Sequence, residues 1–206
     1  MAGYIDAHHH IWRLADLTWL NGPTQPRIFG DYQSIKKDYP IADFRADLNG
    51  SGIEKSVYIQ VNWPHGRELQ EAKWIEKINQ EAGWPHALVA YVDFSADDTS
   101  EKLQSLNSIG IMRGIRQQLH WHENPLYCFQ AVPDLMNHTA WRDNFALLQN
   151  YDWSFELQVF ASQMRDSAKF ASDFPGITMV LQHCGMPEDT SKEGMAFWAD
   201  GMQRLA

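Results

Sequence analysis

The sequence of 206 residues is 44% hydrophobic and contains nine tryptophans, enough to bury a sizeable core in a single domain spanning residues 1–206. Its formal net charge is -9, and no basic cluster is longer than Lys36-Lys37, which argues against nucleic acid or an anionic membrane as a partner. These features favour a small-molecule ligand.

The cysteines and the apolar runs indicate a cellular compartment. Cys128 and Cys184 lie far apart and outside any Cys-x-x-Cys pattern, so neither a disulfide framework nor a zinc-thiolate site is predicted. No charged-then-apolar leader precedes Tyr4, and no apolar run approaches the length that spans a bilayer. The sequence therefore predicts a cytoplasmic protein.

Three consecutive histidines end the first extended run, Tyr4-Ile5-Asp6-Ala7-His8-His9-His10-Ile11-Trp12. Side chains of a strand alternate between its faces, so His8 and His10 should point the same way, about 7 Å apart along the chain, with His9 opposite. Two imidazoles in that arrangement can converge on one ion or one substrate. Strand ends are also where barrel enzymes hold their catalytic groups.

Strands and helices alternate along the rest of the chain. Residues 13–40 contain Pro23 and Pro26 and show no clear period, which predicts a long ordered loop. The predicted strands are Ser56–Asn62, Ala87–Phe94, Arg113–Leu119, Ser154–Phe160 and Ile177–His183. The predicted helices carry apolar stripes at helical spacing and begin near Ile41, Arg67, Asp98, Thr139 and Ser162, with a last one through Met195 and Leu205.

Such alternation is typical of parallel α/β folds, of which two compete here. A doubly wound sheet would place a glycine-rich phosphate turn after its first strand, where this chain has the histidines. The strands also carry polar residues that suit a barrel mouth: Gln60, Asp93, Arg116, Gln118, Glu156 and His183. The sequence therefore predicts a (β/α)8 TIM-barrel type of fold.

The number of strand-helix units is smaller than a barrel requires. Eight units need about 250 residues or more. Only six are readable in the 206 residues. We therefore expect a C-terminally incomplete barrel, whose open sheet edges should favour association with a second copy or a partner chain.

Three residues near strand ends are candidates for chemistry. His183 precedes a sharp Gly-Pro turn, and Glu156 is a carboxylate in an otherwise apolar strand, where burying it unpaired would be expensive. Arg116 can pair with it or can hold a carboxylate or carbonyl oxygen of a substrate. A structural salt bridge and a catalytic role both stay open at this point.

Three motifs, taken together, resemble the amidohydrolase-2 branch of the amidohydrolase superfamily, and more narrowly its sugar-lactone and pyrone-dicarboxylate lactonases. They are Asp6-Ala7-His8-His9-His10-Ile11-Trp12, Gly114-Ile115-Arg116 and Leu181-Gln182-His183-Cys184-Gly185-Met186-Pro187. The resemblance implies a barrel hydrolase with His8 and His10 matching the His-x-His pair of the first strand and His183 matching the histidine of the sixth. It also implies an aspartate on the eighth strand that handles the attacking water, and no position of this chain matches it, so we expect this chain to be slow or inactive.

The resemblance implies a hydrolase that opens a sugar aldonolactone or a related carboxylated lactone. The expected catalytic residues are His183, Arg116 and Glu156, and the expected substrate-binding residues are Arg116, Trp63, Trp121 and Tyr127. A divalent metal, zinc by ligand preference, is expected at His8 and His10 with Glu156 or His183, while a metal-independent variant stays open. The alternatives are a decarboxylase of the same superfamily and a non-catalytic fragment that binds sugar acids.

Overall fold

The computed structural model describes residues 3–206, in which six strands alternate with helices. The strands are β1 (Tyr4–His9), β2 (Ile53–Ile59), β3 (Ala87–Ala90), β4 (Met112–Ile115), β5 (Ser154–Leu157) and β6 (Met179–Leu181). The α-helices are α1 (Thr18–Asn21), α2 (Ile41–Asp47), α3 (Glu68–Ala82), α4 (Thr99–Leu106), α5 (Thr139–Ala146), α6 (Met164–Asp173) and α7 (Lys192–Leu205). The order confirms the predicted fold class, a TIM-barrel type with six of the eight strand-helix units.

The described residues group into two compact units. Unit 1 runs to Tyr91 and includes Lys102–Gly114, and unit 2 comprises Val92–Glu101 and Ile115–Ala206. The single domain over residues 1–206 stays a prediction. Among residues 3–206, no helix has both the length and the apolar character needed to cross a membrane.

In unit 1, strands that follow one another in sequence are hydrogen-bonded neighbours. β1 pairs with β2, and β2 with β3, in parallel. The buried carboxylate of Glu71 on α3 accepts hydrogen bonds from the Tyr58 hydroxyl at 2.8 Å and from the Val61 amide at 2.7 Å. This carboxylate therefore fixes α3 against the carboxyl end of β2.

Unit 2 contains a core of stacked and edge-on aromatic rings. β5 pairs with β6 in parallel, and a bridge between Gln118 and Gln158 extends the parallel pairing to the segment after β4. Five fully buried rings pack together at this sheet: Phe94, Trp141, Phe145, Phe155 and Phe170. These rings hold the strand that carries Glu156 in a rigid setting.

The structure corrects several predicted boundaries. The strand predicted at Ser56–Asn62 is Ile53–Ile59, and the one predicted at Ile177–His183 is only Met179–Leu181. The residues after β2 leave the sheet because Asn62 has a φ of 59° and its amide bonds the Gln60 side chain at 2.7 Å. The predicted loop over residues 13–40 contains α1 and two short 3-10 turns, Leu14–Asp16 and Gln33–Ile35.

Candidate active site

His8 and His10 point the same way at the carboxyl end of β1, as strand alternation predicts. Their Nε2 atoms are 3.2 Å apart, and both residues are half-buried. A register shift against β2 falls between Asp6 and His9, and such bulges re-aim side chains at strand ends. His9 lies on the other face, buried and stacked on the ring of Phe44 with centroids 3.9 Å apart.

A backbone carbonyl sets the protonation pattern of His10. Its Nδ1 is 2.7 Å from the carbonyl oxygen of Ile59, which can only accept, so Nδ1 carries the hydrogen and Nε2 presents a lone pair. The Nε2 atom of His8 can either donate to this lone pair or share a cation with it. A hydrogen bond of this kind is how proteins commonly orient a metal-binding histidine.

The spacing of the two imidazoles fits a shared zinc ion. With zinc-nitrogen distances of roughly 2.0–2.1 Å, two nitrogens 3.2 Å apart subtend an angle of about 100° at the ion, close to a tetrahedral angle. Among residues 3–206, however, no group of three or more His, Cys, Asp or Glu side chains is arranged to hold a metal. The metal assignment of His8 and His10, with Glu156 or His183 completing the set, therefore stays a prediction.

Unit 2 buries a guanidinium and a carboxyl group close to one another. Arg116 follows β4 directly and Glu156 lies within β5, and these residues are only 4% and 6% exposed. Gln182, at the end of β6, donates its side-chain amide to Glu156 Oε2, while Arg116 Nη1 is 3.5 Å from Gln158 Oε1. The carboxyl ends of three adjoining parallel segments thus supply one polar network.

Burial dominates the protonation of Glu156. It raises the pKa of Glu156 to about 7, although the positive charge of Arg116 and the hydrogen bond from Gln182 both act to lower it. A carboxyl group with this pKa exchanges its proton near neutral pH, which suits a general acid or base.

His183 occupies an unusual backbone segment just after β6. His183, Cys184 and Met186 have φ values of 49°, 52° and 34°, a region that side-chain-bearing residues seldom adopt. Loss of hydration around its ring, followed by the charge of Arg116, lowers the pKa of His183, which favours the neutral imidazole. Strained backbone of this kind is concentrated at functional sites.

Comparison with known proteins identifies the family. The amidohydrolase family model matches residues 5–206. The chain belongs to the amidohydrolase family. An uncharacterized protein of Sinorhizobium fredii, y4mH, is 32% identical over 98% of this chain and 68% of its own length. The L-fucono-1,5-lactonases of Burkholderia ambifaria and Burkholderia multivorans are each 24% identical over 98% of this chain, and over 63% and 64% of their own.

Solved amidohydrolase structures share the fold. An amidohydrolase from Burkholderia multivorans with bound zinc has a TM-score of 0.77 at 22% identity, covering 99% of this chain and 66% of its own. A probable 2-pyrone-4,6-dicarboxylic acid hydrolase from Acinetobacter baumannii has a TM-score of 0.65 at 15% identity, covering 98% and 64%. This chain thus spans about two thirds of the length of these relatives, 63–68%.

The aromatic residues predicted to bind substrate differ in how much ring surface they leave open. Trp63 is 6% exposed, and the guanidinium of Arg67 lies 4.9 Å from its ring centroid. Trp121 and Tyr127 are half-buried in the long connection after β4, where the Tyr127 ring contacts His122. In this amidohydrolase, Trp121 and Tyr127 therefore have more free ring surface than Trp63, and all three assignments stay predictions.

Sequence reasoning did not assign roles to Gln158, Gln182 and His120, which surround Arg116 and Glu156 in unit 2. Gln158 follows Glu156 by two residues, and His120 follows Arg116 by four, so each lies on the same side of an extended segment as a predicted catalytic residue. This alternation could therefore have identified Gln158 and His120 from the sequence. Gln182 gave no signal, because its contact with Glu156 joins residues 26 positions apart.

Proposed function

We propose that this amidohydrolase is a lactonase, which opens the ring of a sugar lactone by attack of water on the ring carbonyl. The observation that carries the proposal is the buried network of unit 2, in which Arg116 and Glu156 lie together at the carboxyl ends of parallel strands. The names of two relatives, both L-fucono-1,5-lactonases, support the choice of a sugar lactone.

The proposed roles follow from the charge that develops in the reaction. As water adds to the carbonyl carbon, negative charge grows on the carbonyl oxygen, and a fixed guanidinium such as Arg116 stabilises it. The water proton passes to Glu156, whose pKa of about 7 suits it to accept a proton near neutral pH, or to the imidazole of His183. When the ring carbon-oxygen bond breaks, the same group returns the proton to the departing ring oxygen.

His8 and His10 would hold a divalent ion, most simply zinc. Such an ion polarises a carbonyl oxygen and lowers the pKa of water. The lone pair of His10 Nε2, fixed by the carbonyl of Ile59, is what makes the pair a suitable half of such a site. The residues of unit 2 require no ion for their own proposed roles, so a metal-independent lactonase is a defined outcome of the test.

The decisive experiment is an assay of ring opening and of metal content on the same samples. L-fucono-1,5-lactone and other 1,4- and 1,5-aldonolactones are offered to the purified chain before and after chelation, and zinc is measured by elemental analysis. We expect a double His8→Ala, His10→Ala variant to lose bound zinc. His65→Ala is the matched control, since that imidazole is exposed and paired with Glu68.

The outcomes separate the alternatives. Zinc that remains in the double variant would show that the metal site lies elsewhere. Ring opening that survives chelation would favour the metal-independent reaction. Carbon dioxide released from hydroxybenzoates, with no lactone opened, would contradict the lactonase and identify a decarboxylase.

A further inference from the structure

A cluster of aromatic and imidazole rings joins the connection after β4 to Phe160, just after β5, and has no part in the proposed chemistry apart from Tyr127. The ring of His120 lies between Phe129 and Phe160, with centroid distances of 5.1 and 5.3 Å. His122 and Tyr127 pack against each other at 5.2 Å and also contact Phe160. The cluster lies within unit 2, four residues beyond Arg116 in the chain.

The backbone around His120 is held on both sides. The Gln163 side chain donates to the carbonyl of Leu119 at 2.9 Å and accepts from the amide of Trp121 at 3.1 Å. The carbonyl of His120 itself accepts from the amides of Phe129 and Gln130 at 3.2 and 3.3 Å. The main chain that carries this imidazole is therefore held in place before any ligand arrives, which is a property of ligand-binding segments.

The ring of His120 has hydrogen-bonding capacity that the protein does not use. His120 is 9% exposed, and its Nδ1 is buried with no hydrogen-bond partner among residues 3–206. Buried polar atoms in folded proteins nearly always have a partner, and leaving one without a partner costs free energy. Nδ1 is enclosed when no ligand is present, so a substrate group that bonds it must shift a neighbouring ring, and that bond would recover the cost.

The imidazole is neutral, and its neighbours belong to the proposed catalytic group. Burial, followed by the charges of Arg116 and His183, lowers the pKa of His120 to about 4. A neutral imidazole offers one donor and one acceptor, which matches a hydroxyl group, since a hydroxyl both donates and accepts. The positive charge that acts on His120 is that of Arg116, which the proposed reaction uses at the carbonyl oxygen, so the imidazole itself is left to match a hydroxyl.

Phe129 completes the arrangement with an apolar surface. Its ring is 45% exposed although it packs against His120. An exposed ring beside a hydrogen-bonding group suits a sugar ring, which presents C–H groups on one face and hydroxyls at its edge.

We propose that His120 and Phe129 form a subsite that recognises a hydroxyl-bearing part of the lactone ring, and that His120 determines specificity for hydroxylated over unsubstituted lactones. The inference rests on the proposed lactonase function. It assigns to His120 a contact with substrate away from the reacting carbonyl.

The test compares two lactones that differ in their hydroxyl groups. For His120→Phe, we expect kcat/KM for L-fucono-1,5-lactone to fall by roughly 10- to 100-fold, mainly through KM, while δ-valerolactone changes less than about twofold. His120→Asn keeps a polar atom near the position of Nδ1 and should recover part of the loss. His138→Phe, which changes an exposed histidine of the same connection, is the matched control.

A binding measurement keeps the inference testable where turnover is slow. The NMR signals of the His120 ring are observed in protein labelled with nitrogen-15 histidine, and they are assigned by their disappearance in His120→Phe. L-fuconate should shift these signals, whereas 5-hydroxyvalerate should leave them in place. Equal losses for both lactones, or fuconate binding without a His120 shift, would overturn the subsite and leave the lactonase standing. A His120 shift in a protein that opens no lactone would support the subsite and contradict the lactonase.

Discussion

The histidine pair of unit 1 and the polar network of unit 2 are built in opposite ways. His8 and His10 are two residues apart, and their shared direction follows from strand alternation alone. Arg116 and Glu156 instead meet through folding, since they are 40 positions apart in the chain. The first kind of site can be inferred from a short motif, whereas the second exists only once the strands have paired.

The histidine pair and the polar network also differ in how deeply their side chains are buried. The two histidines are half-buried, and their Nε2 atoms face each other 3.2 Å apart. Arg116 and Glu156 are almost fully buried, and the positive charge of Arg116 acts to lower the pKa of Glu156. We therefore expect substitutions in unit 2 to change both activity and stability.

The largest expected effect is on activity, through Arg116. Arg116→Ala removes the guanidinium that we assign to the developing negative charge, so kcat for lactone opening should fall by roughly 10²- to 10³-fold. Arg113→Ala, which removes an exposed guanidinium of β4, should leave kcat unchanged. Equal rates for Arg116→Ala and the parent would remove Arg116 from the mechanism.

The next effect concerns stability and Glu156. The pKa of Glu156 is about 7 in the folded chain, whereas its ordinary value is 4.5. The free energy of unfolding therefore falls as pH rises from 4.5 through 7, because the buried carboxyl group ionises less readily than the same group in the unfolded chain. The penalty above pH 7 is roughly 3 kcal/mol. In urea unfolding with chelator present, Glu156→Gln should lose less stability between pH 5 and pH 8 than the parent. Glu193→Gln, an exposed control on α7, should follow the parent.

Unit 1 should show the opposite dependence on pH, through His9. Burial lowers its pKa from 6.5 to about 4, so the neutral form is favoured in the folded chain and stability is lost as pH falls from 6.5 towards 4. The contribution is roughly 3 kcal/mol. His9→Gln should flatten the fall in unfolding free energy between pH 7 and pH 4.5, and His138→Gln should not. A parallel fall in the His9 variant and the parent would contradict this.

The smallest effect tests backbone strain at the end of β6. Cys184 has an exposed side chain and a φ of 52°, which glycine adopts without a steric penalty. Cys184→Gly should raise the unfolding free energy by roughly 0.5 kcal/mol, because relief of strain exceeds the entropy that glycine adds to the unfolded chain. Cys128→Gly lacks this relief and should be destabilising, and a loss of similar size in both variants would show that the segment carries no strain.

The sequence predicted the fold class and the direction of His8 and His10, because both depend on local periodicity. It predicted that Glu156 requires a cation or an arginine nearby, and Arg116 is that neighbour. It did not predict the hydrogen bond from Gln182 or the left-handed backbone at His183. These depend on strand pairing and on the turn after β6, which no short motif encodes.

The hydrogen bond that orients His10 has a consequence for how this protein tolerates sequence change. Its acceptor is a main-chain oxygen, that of Ile59, so any amino acid at position 59 would preserve it. An insertion or deletion within β2 would not, because shifting the strand by one residue replaces that carbonyl. A change of side chain at position 59 therefore leaves the orientation of His10 intact, whereas a change in the length of β2 before position 59 removes it.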